Sequence, residues 1–189
     1  MVSSASEQVP HSLELVIDFV NTLDPDEHTD ALATPEALAG WLAERQLLDP
    51  GAPAPGEAER REAVSLREAL RALMLEHNGG RHDESAAAEL ERVACAGELG
   101  LHFDAGAAAR LRPAAGGAAG ALAALLVPIA EASRDGTWQR VKACRDGDCL
   151  WAFFDRSRNR SGVWCDMAVC GNRAKVRAYR RRRPGGTHA

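Results

Sequence analysis

Four cysteines constrain the fold of this chain more than any other feature. Cys144 and Cys149 form one C-x4-C pair, Cys165 and Cys170 form a second, and fifteen residues separate the two. Two short pairs on separate turns meet the needs of a tetrahedral four-thiolate zinc site, with bonds of about 2.3 Å. The competing readings are two disulfides, or four cysteines buried as small apolar residues. Disulfides call for an oxidising compartment. The N-terminal run "MVSSASEQVPHS" has neither the basic nor the apolar region of an export signal, so a cytoplasmic location and one zinc ion per chain are expected. Gly147, inside the first pair, allows a tight turn whose amides point at the sulfurs. The fifth cysteine, Cys95, lies in a helical pattern and is read as a core residue.

Charge divides the chain at Thr137. Residues 1–137 carry 10 Lys and Arg against 23 Asp and Glu, a net −13, whereas residues 138–183 carry 13 against 4, a net +9. An acidic body and a basic appendage follow, and the appendage is suited to a polyanion or to the acidic body itself. No membrane span is expected, because the most apolar segment, residues 118–132, is alanine-rich and interrupted by Pro128.

The acidic part reads as helical. Leu13, Val16, Ile17, Val20 and Leu23 recur at helical spacing. Thr34 caps a second helix with Pro35 in its first turn and Leu38, Trp41 and Leu42 on one face. After the breaker "PGAPAPG", Ala63, Leu66, Leu70, Leu73 and Met74 mark a long helix that stops at "HNGG". Helices over residues 83–96 and 118–134 flank "LGLHFD" and "AARLRP", which read as a short hairpin. In the basic part, "LWAFF" suits a strand, and a polar loop then carries Arg156, Arg158 and Arg160. The last segment is a helix with Arg173, Arg177 and Arg180 on one stripe, expected to face outward, and Val176 and Tyr179 on a neighbouring stripe, expected to dock. The fold class is α+β: a mainly α-helical domain over residues 12–137 with a short β-hairpin, then a treble-clef-like zinc finger over residues 138–183. Residues 1–11 and 184–189 are read as flexible tails.

The run "CLWAFFDRSRNRSGVWCDMAVCGNRAKVRAYRRR" resembles the CGNR zinc finger, named after Cys170, Gly171, Asn172 and Arg173. Upstream, "LELVIDFVNTL" and "TPEALAGWLAERQLL" resemble the ABATE domain, which precedes that finger in bacterial proteins assigned to stress-induced transcription regulation. The resemblance implies Cys144, Cys149, Cys165 and Cys170 as the zinc ligands and the basic helix as a nucleic-acid contact. Similar fingers usually carry basic residues where this chain has Gly162 and Val163, and a glycine where it has Leu150.

Phosphate contacts are expected from Arg173, Lys175, Arg177, Arg180, Arg181 and the rest of the run to Arg183, with Arg156, Arg158 and Arg160 from the loop. Asn172 and Arg173 are of the types that read adenine and guanine edges, although Asn172 is equally suited to capping the helix or ordering the zinc turn. Asp18, Asn21 and Thr22 form either a capping cluster or the wall of an effector pocket. A closed four-thiolate site leaves no position for water, and the histidines show no ligand pattern, so no enzyme is expected. The reading is a DNA-binding transcription regulator whose helical half senses a small-molecule effector or forms a homodimer. The alternative is a protein-interaction module docking an acidic partner.

Overall fold

The computed structural model describes residues 9–182; the first eight residues of the expected N-terminal tail, Arg183 and the tail at 184–189 lie outside them. Helix α1 (His11–Val20) buries Leu13, Val16, Phe19 and Val20. It stops short of Leu23, where the apolar spacing predicts it should reach. Pro25 disfavours helical backbone at Asp24. Leu23–Asp24 instead forms β1, paired antiparallel with β2 (Thr29–Asp30), around a turn in which the Asp24 carboxylate accepts the Asp26 and Glu27 amides.

Helix α2 (Pro35–Glu44) starts as expected, with Thr34 Oγ1 accepting the Ala37 amide at 3.2 Å, and buries Leu38, Trp41 and Leu42. Helix α3 (Glu57–His77) is the spine. Its apolar stripe of Ala63, Leu66, Leu70 and Met74 is buried, and Gly79, at φ +77°, ends it. The same face buries Arg67 and Arg71, which no apolar periodicity announces.

Helix α4 (Glu84–Ala96), capped by Asp83, leads into the hairpin of β3 (Leu99–Phe103) and β4 (Ala109–Pro113), with Leu101 opposite Leu111. Cys95 is exposed, contrary to the core reading. It follows buried Val93 by two residues, which is about 200° around the helix and therefore the opposite face. The helix expected over 118–134 is two helices, α5 (Gly117–Ala124) and α6 (Val127–Ser133). Pro128 has no N–H to give the Ala124 carbonyl, so the first helix ends there. No helix among the described residues is long and apolar enough to cross a membrane.

After a 3-10 turn (Trp138–Arg140) come β5 (Val141–Ala143) and β6 (Ala152–Phe154), paired antiparallel. A π-type turn (Met167–Gly171) runs directly into α7 (Asn172–Arg182). The core does not break at Thr137. Trp138, Val141, Ala143, Ala152 and Phe154 belong to the same buried cluster as Leu13, Phe19, Leu66 and Leu70.

Polar side chains of the body close the seam on finger backbone. Asn21 both donates to Ala152 O (3.0 Å) and accepts from Ala152 N (2.7 Å). Arg71 donates to Leu150 O (2.9 Å) and to Val20 O (2.8 Å), and Asn78 donates to Ala143 O and Val163 O, both at 2.8 Å. His77 joins through the Val141 carbonyl, 2.8 Å from Nδ1, with its ring edge-on to Trp138. Burial holds His77 below the usual histidine pKa of 6.5, against the opposing pull of that hydrogen bond. The folded protein keeps it neutral while the unfolded chain takes up a proton, so stability falls as pH drops through about 6.5, at up to about 1.4 kcal/mol per pH unit. Urea titrations between pH 5 and 7.5 should show this slope reduced in His77→Gln. An unchanged slope in that variant would count against the assignment.

Candidate metal centre

Each half of the site is built by a short hydrogen-bonded turn. Cys144 directly follows β5, and Cys149 precedes β6, in a loop where the Cys149 and Leu150 amides donate to Asp146 O at 2.9 and 3.0 Å. The left-handed backbone of this loop falls on Leu150, at φ +53°, and not on Gly147. A glycine at that position would adopt such a conformation without Cβ strain. The amide that reaches a sulfur here is that of Trp151, on Cys149. In the second half, Asp166 Oδ1 accepts the Ala168 and Val169 amides at 2.6 and 3.0 Å, while its carbonyl accepts from Cys170 and Gly171. Gly171 packs closely: a Cβ there would displace the exposed Met167 side chain and crowd the Trp164 ring.

All four Sγ atoms lie within 4.8 Å of one another, Cys149 to Cys165 at 3.6 Å and Cys165 to Cys170 at 3.7 Å. Sulfurs at the corners of a zinc tetrahedron with bonds of about 2.3 Å stand about 3.8 Å apart, so the cluster fits one zinc ion, and the cysteines are free thiols, not disulfides. Burial pushes Cys149 up to about 12 and Cys165 higher still. Burial also raises Cys170, but the Arg173 guanidinium and the other thiols outweigh it and hold that group below the usual thiol range. A bound divalent cation supplies the charge that keeps all four as thiolates.

Around the sulfurs lies a shell of ion pairs. Asp146, with a fully buried side chain, receives Arg177 at 2.8 Å and Arg173 Nε at 2.9 Å, the latter in ion contact but out of line for a hydrogen bond. Arg173 also forks onto Asp26 in the β1–β2 turn, at 3.0 and 2.9 Å, and its Nη2 donates to Cys170 Sγ at 3.1 Å. The Arg173 hydrogen bond holds Asp26 below the usual carboxylate range. The expected outward stripe of α7 holds for Arg180 and not for Arg173 and Arg177. These two turn inward onto the zinc loop because a buried carboxylate demands a cation, and Arg173 alone reaches on to Asp26 of the body. Val176 and Tyr179, expected to dock, are 47% and 58% exposed.

Lys175, Arg180 and Arg181 are exposed on α7, as are Arg156, Arg158 and Arg160 on their loop. Asn172 is exposed too, its amide donating to Ala168 O of the zinc turn at 2.8 Å. In the α1 cluster, Thr22 donates to Phe19 O and accepts from Arg67, Asn21 holds Ala152, and only Asp18 faces a groove, lined also by Phe153, Trp164 and Cys165.

Sequence reasoning missed Lys142 and Asp155. Lys142 Nζ, buried, contacts Asp155 Oδ2 at 2.7 Å and the carbonyls of Arg160 and Gly162, while Asp155 accepts the Ser157 and Gly162 amides. This pair shapes the loop of Arg156, Arg158 and Arg160. It also leaves no room for a side chain at Gly162, where a Cβ would lie 2.7 Å from Asp155 Oδ1. A lone lysine in an apolar strand beside "FFD" was the available signal.

Comparison with known proteins agrees with this geometry. The CGNR zinc finger matches residues 140–183, and the ABATE domain, described as "Putative stress-induced transcription regulator", matches residues 13–135. No curated protein matches the chain. With its first domain spanning well over half the sequence and its four thiols gathered in the second, the chain belongs to the ABATE family and carries a CGNR zinc finger.

Proposed function

We propose that this protein is a DNA-binding transcription regulator whose zinc finger carries the nucleic-acid surface and whose helical body, residues 12–137, carries regulation. The observation that supports it is α7: it buries none of its residues, grows directly out of the zinc turn, and displays Lys175, Arg180 and Arg181. Arg156, Arg158 and Arg160, exposed on a loop ordered by a buried ion pair, add cations from the same finger. Asn172 sits at the start of α7, where a base-reading side chain belongs. The body's role is to sense a small-molecule effector, for which Asp18 lines the available groove, or to form a homodimer. We assign no catalytic role, and a cytoplasmic location suits a regulator of this kind.

The test is a salt series. Fluorescence anisotropy with duplex DNA should give log affinity falling linearly with log salt, and Lys175→Ala or Arg180→Ala should each lessen the slope by about 0.9. One observation favours a second reading, docking onto an acidic protein: Met167, Val169, Val176 and Tyr179 are all about half exposed or more around α7. No DNA binding at about 50 mM salt, with zinc bound, would favour that reading.

A further inference from the structure

We infer that Arg173 is an outer-sphere positioning residue of the zinc centre, which fixes Cys170 and ties it to Asp26 of the β1–β2 turn, and is not a phosphate contact. Every nitrogen of its guanidinium is engaged. Nη1 and Nη2 fork onto Asp26 at 3.0 and 2.9 Å, Nε meets Asp146 at 2.9 Å, and Nη2 also donates to Cys170 Sγ at 3.1 Å. A zinc ion with four thiolates carries a net charge of about −2, because each thiolate contributes one negative charge. A cation donating to one sulfur offsets part of that charge and fixes the sulfur's direction, which is how second-shell partners tune metal sites. The planar fork is what lets one side chain serve two carboxylates and a sulfur together; a lysine ammonium has no such geometry. Through Arg173, the metal turn of the finger and the acidic turn of the body, 147 residues apart in sequence, share one hydrogen-bonded group.

Arg177 is the matched control. It pairs with the same buried Asp146 at 2.8 Å and with Asp148 at 3.6 Å, carboxylates and not a sulfur. The experiment uses the full-length, zinc-loaded protein in competition with a chromophoric chelator. Arg173→Gln should weaken zinc affinity by about 10–100-fold, and Arg177→Gln should change it by less than about 3-fold. Cobalt substitution supplies a readout that lost packing alone does not move. In Arg173→Lys, which keeps the charge and protects the fold, the sulfur-to-cobalt charge-transfer band should shift to lower energy, because a thiolate relieved of its N–H donor is easier to oxidise. Arg177→Gln should leave the band in place. At saturating zinc, Arg173→Gln, which removes the charge, should keep the wild-type salt slope for DNA. Equal zinc affinities in Arg173→Gln and Arg177→Gln, an unmoved cobalt band in Arg173→Lys, or a reduced DNA salt slope in Arg173→Gln would overturn the assignment. The zinc and cobalt readouts do not depend on DNA binding, so they stand whether or not the proposed function does.

Discussion

Removing zinc is expected to unfold more than the finger. Structural zinc of this kind is worth about 10–16 kcal/mol at neutral pH, comparable to the about 5–15 kcal/mol that holds a whole domain folded. Here the strands flanking the first cysteine pair are also part of the main core: Val141, Ala143, Ala152 and Phe154 pack in one cluster with α1 and α3. When the thiolates lose their metal, the loop between β5 and β6 loses its closure, and the body's side chains Asn21, Arg71 and Asn78 lose the carbonyls they hold. Chelation, or Cys165→Ser, should therefore lower the thermal midpoint of the entire chain by more than 15 °C, roughly the effect of losing several kcal/mol, within one cooperative transition. Elemental analysis should find one zinc per chain. A body that melts at its original temperature after chelation would mean that the shared core contributes little across the seam. Absence of zinc, or two disulfides by mass spectrometry, would remove the site itself.

Breaking the Lys142–Asp155 pair is expected to be the most damaging single change away from the cysteines. Both side chains are nearly fully buried, 2.7 Å apart. Asp155→Ala strands a buried ammonium and frees the Ser157 and Gly162 amides, at a cost of about 3–5 kcal/mol. Replacing both residues by apolar ones of similar volume should recover most of that loss. Burial alone would raise the Asp155 pKa; the Lys142 ammonium and the backbone amides outweigh it and hold the group at about 2, below the usual aspartate value of 3.8. The sign is that of a depressed acid. Its stabilisation is fully present above the unfolded value and is lost as pH falls through about 2. Urea unfolding at neutral pH measures the cost, and a loss of under about 1 kcal/mol in Asp155→Ala would show that the pair is not holding the loop.

How much of this was legible in the amino-acid order depends on the range of the interactions involved. The two equal cysteine spacings, the Thr34 cap, the stripe of α3 and its stop at Gly79 were readable because each is written within one or two turns of chain. Local rules also account for two corrected helices, since Pro25 and Pro128 ended elements that the apolar periodicity alone carried further. Cys95 shows where periodicity was sufficient but was applied one face off.

What the order of residues determined by itself was therefore the metal, the helices and the split in charge. The tertiary structure alone decided what the charges do. Arg173 and Arg177 look like Lys175 and Arg180 in sequence, and only the arrival of buried Asp146 and of Asp26, 147 residues upstream of Arg173, turns the first two inward. The same holds for Arg67, Arg71, Asn78 and Lys142, polar residues buried because partners from distant segments satisfy them. Apolar burial repeats along a chain and can be counted, whereas the partner of a buried charge is set by the three-dimensional fold, at a sequence distance no local pattern records.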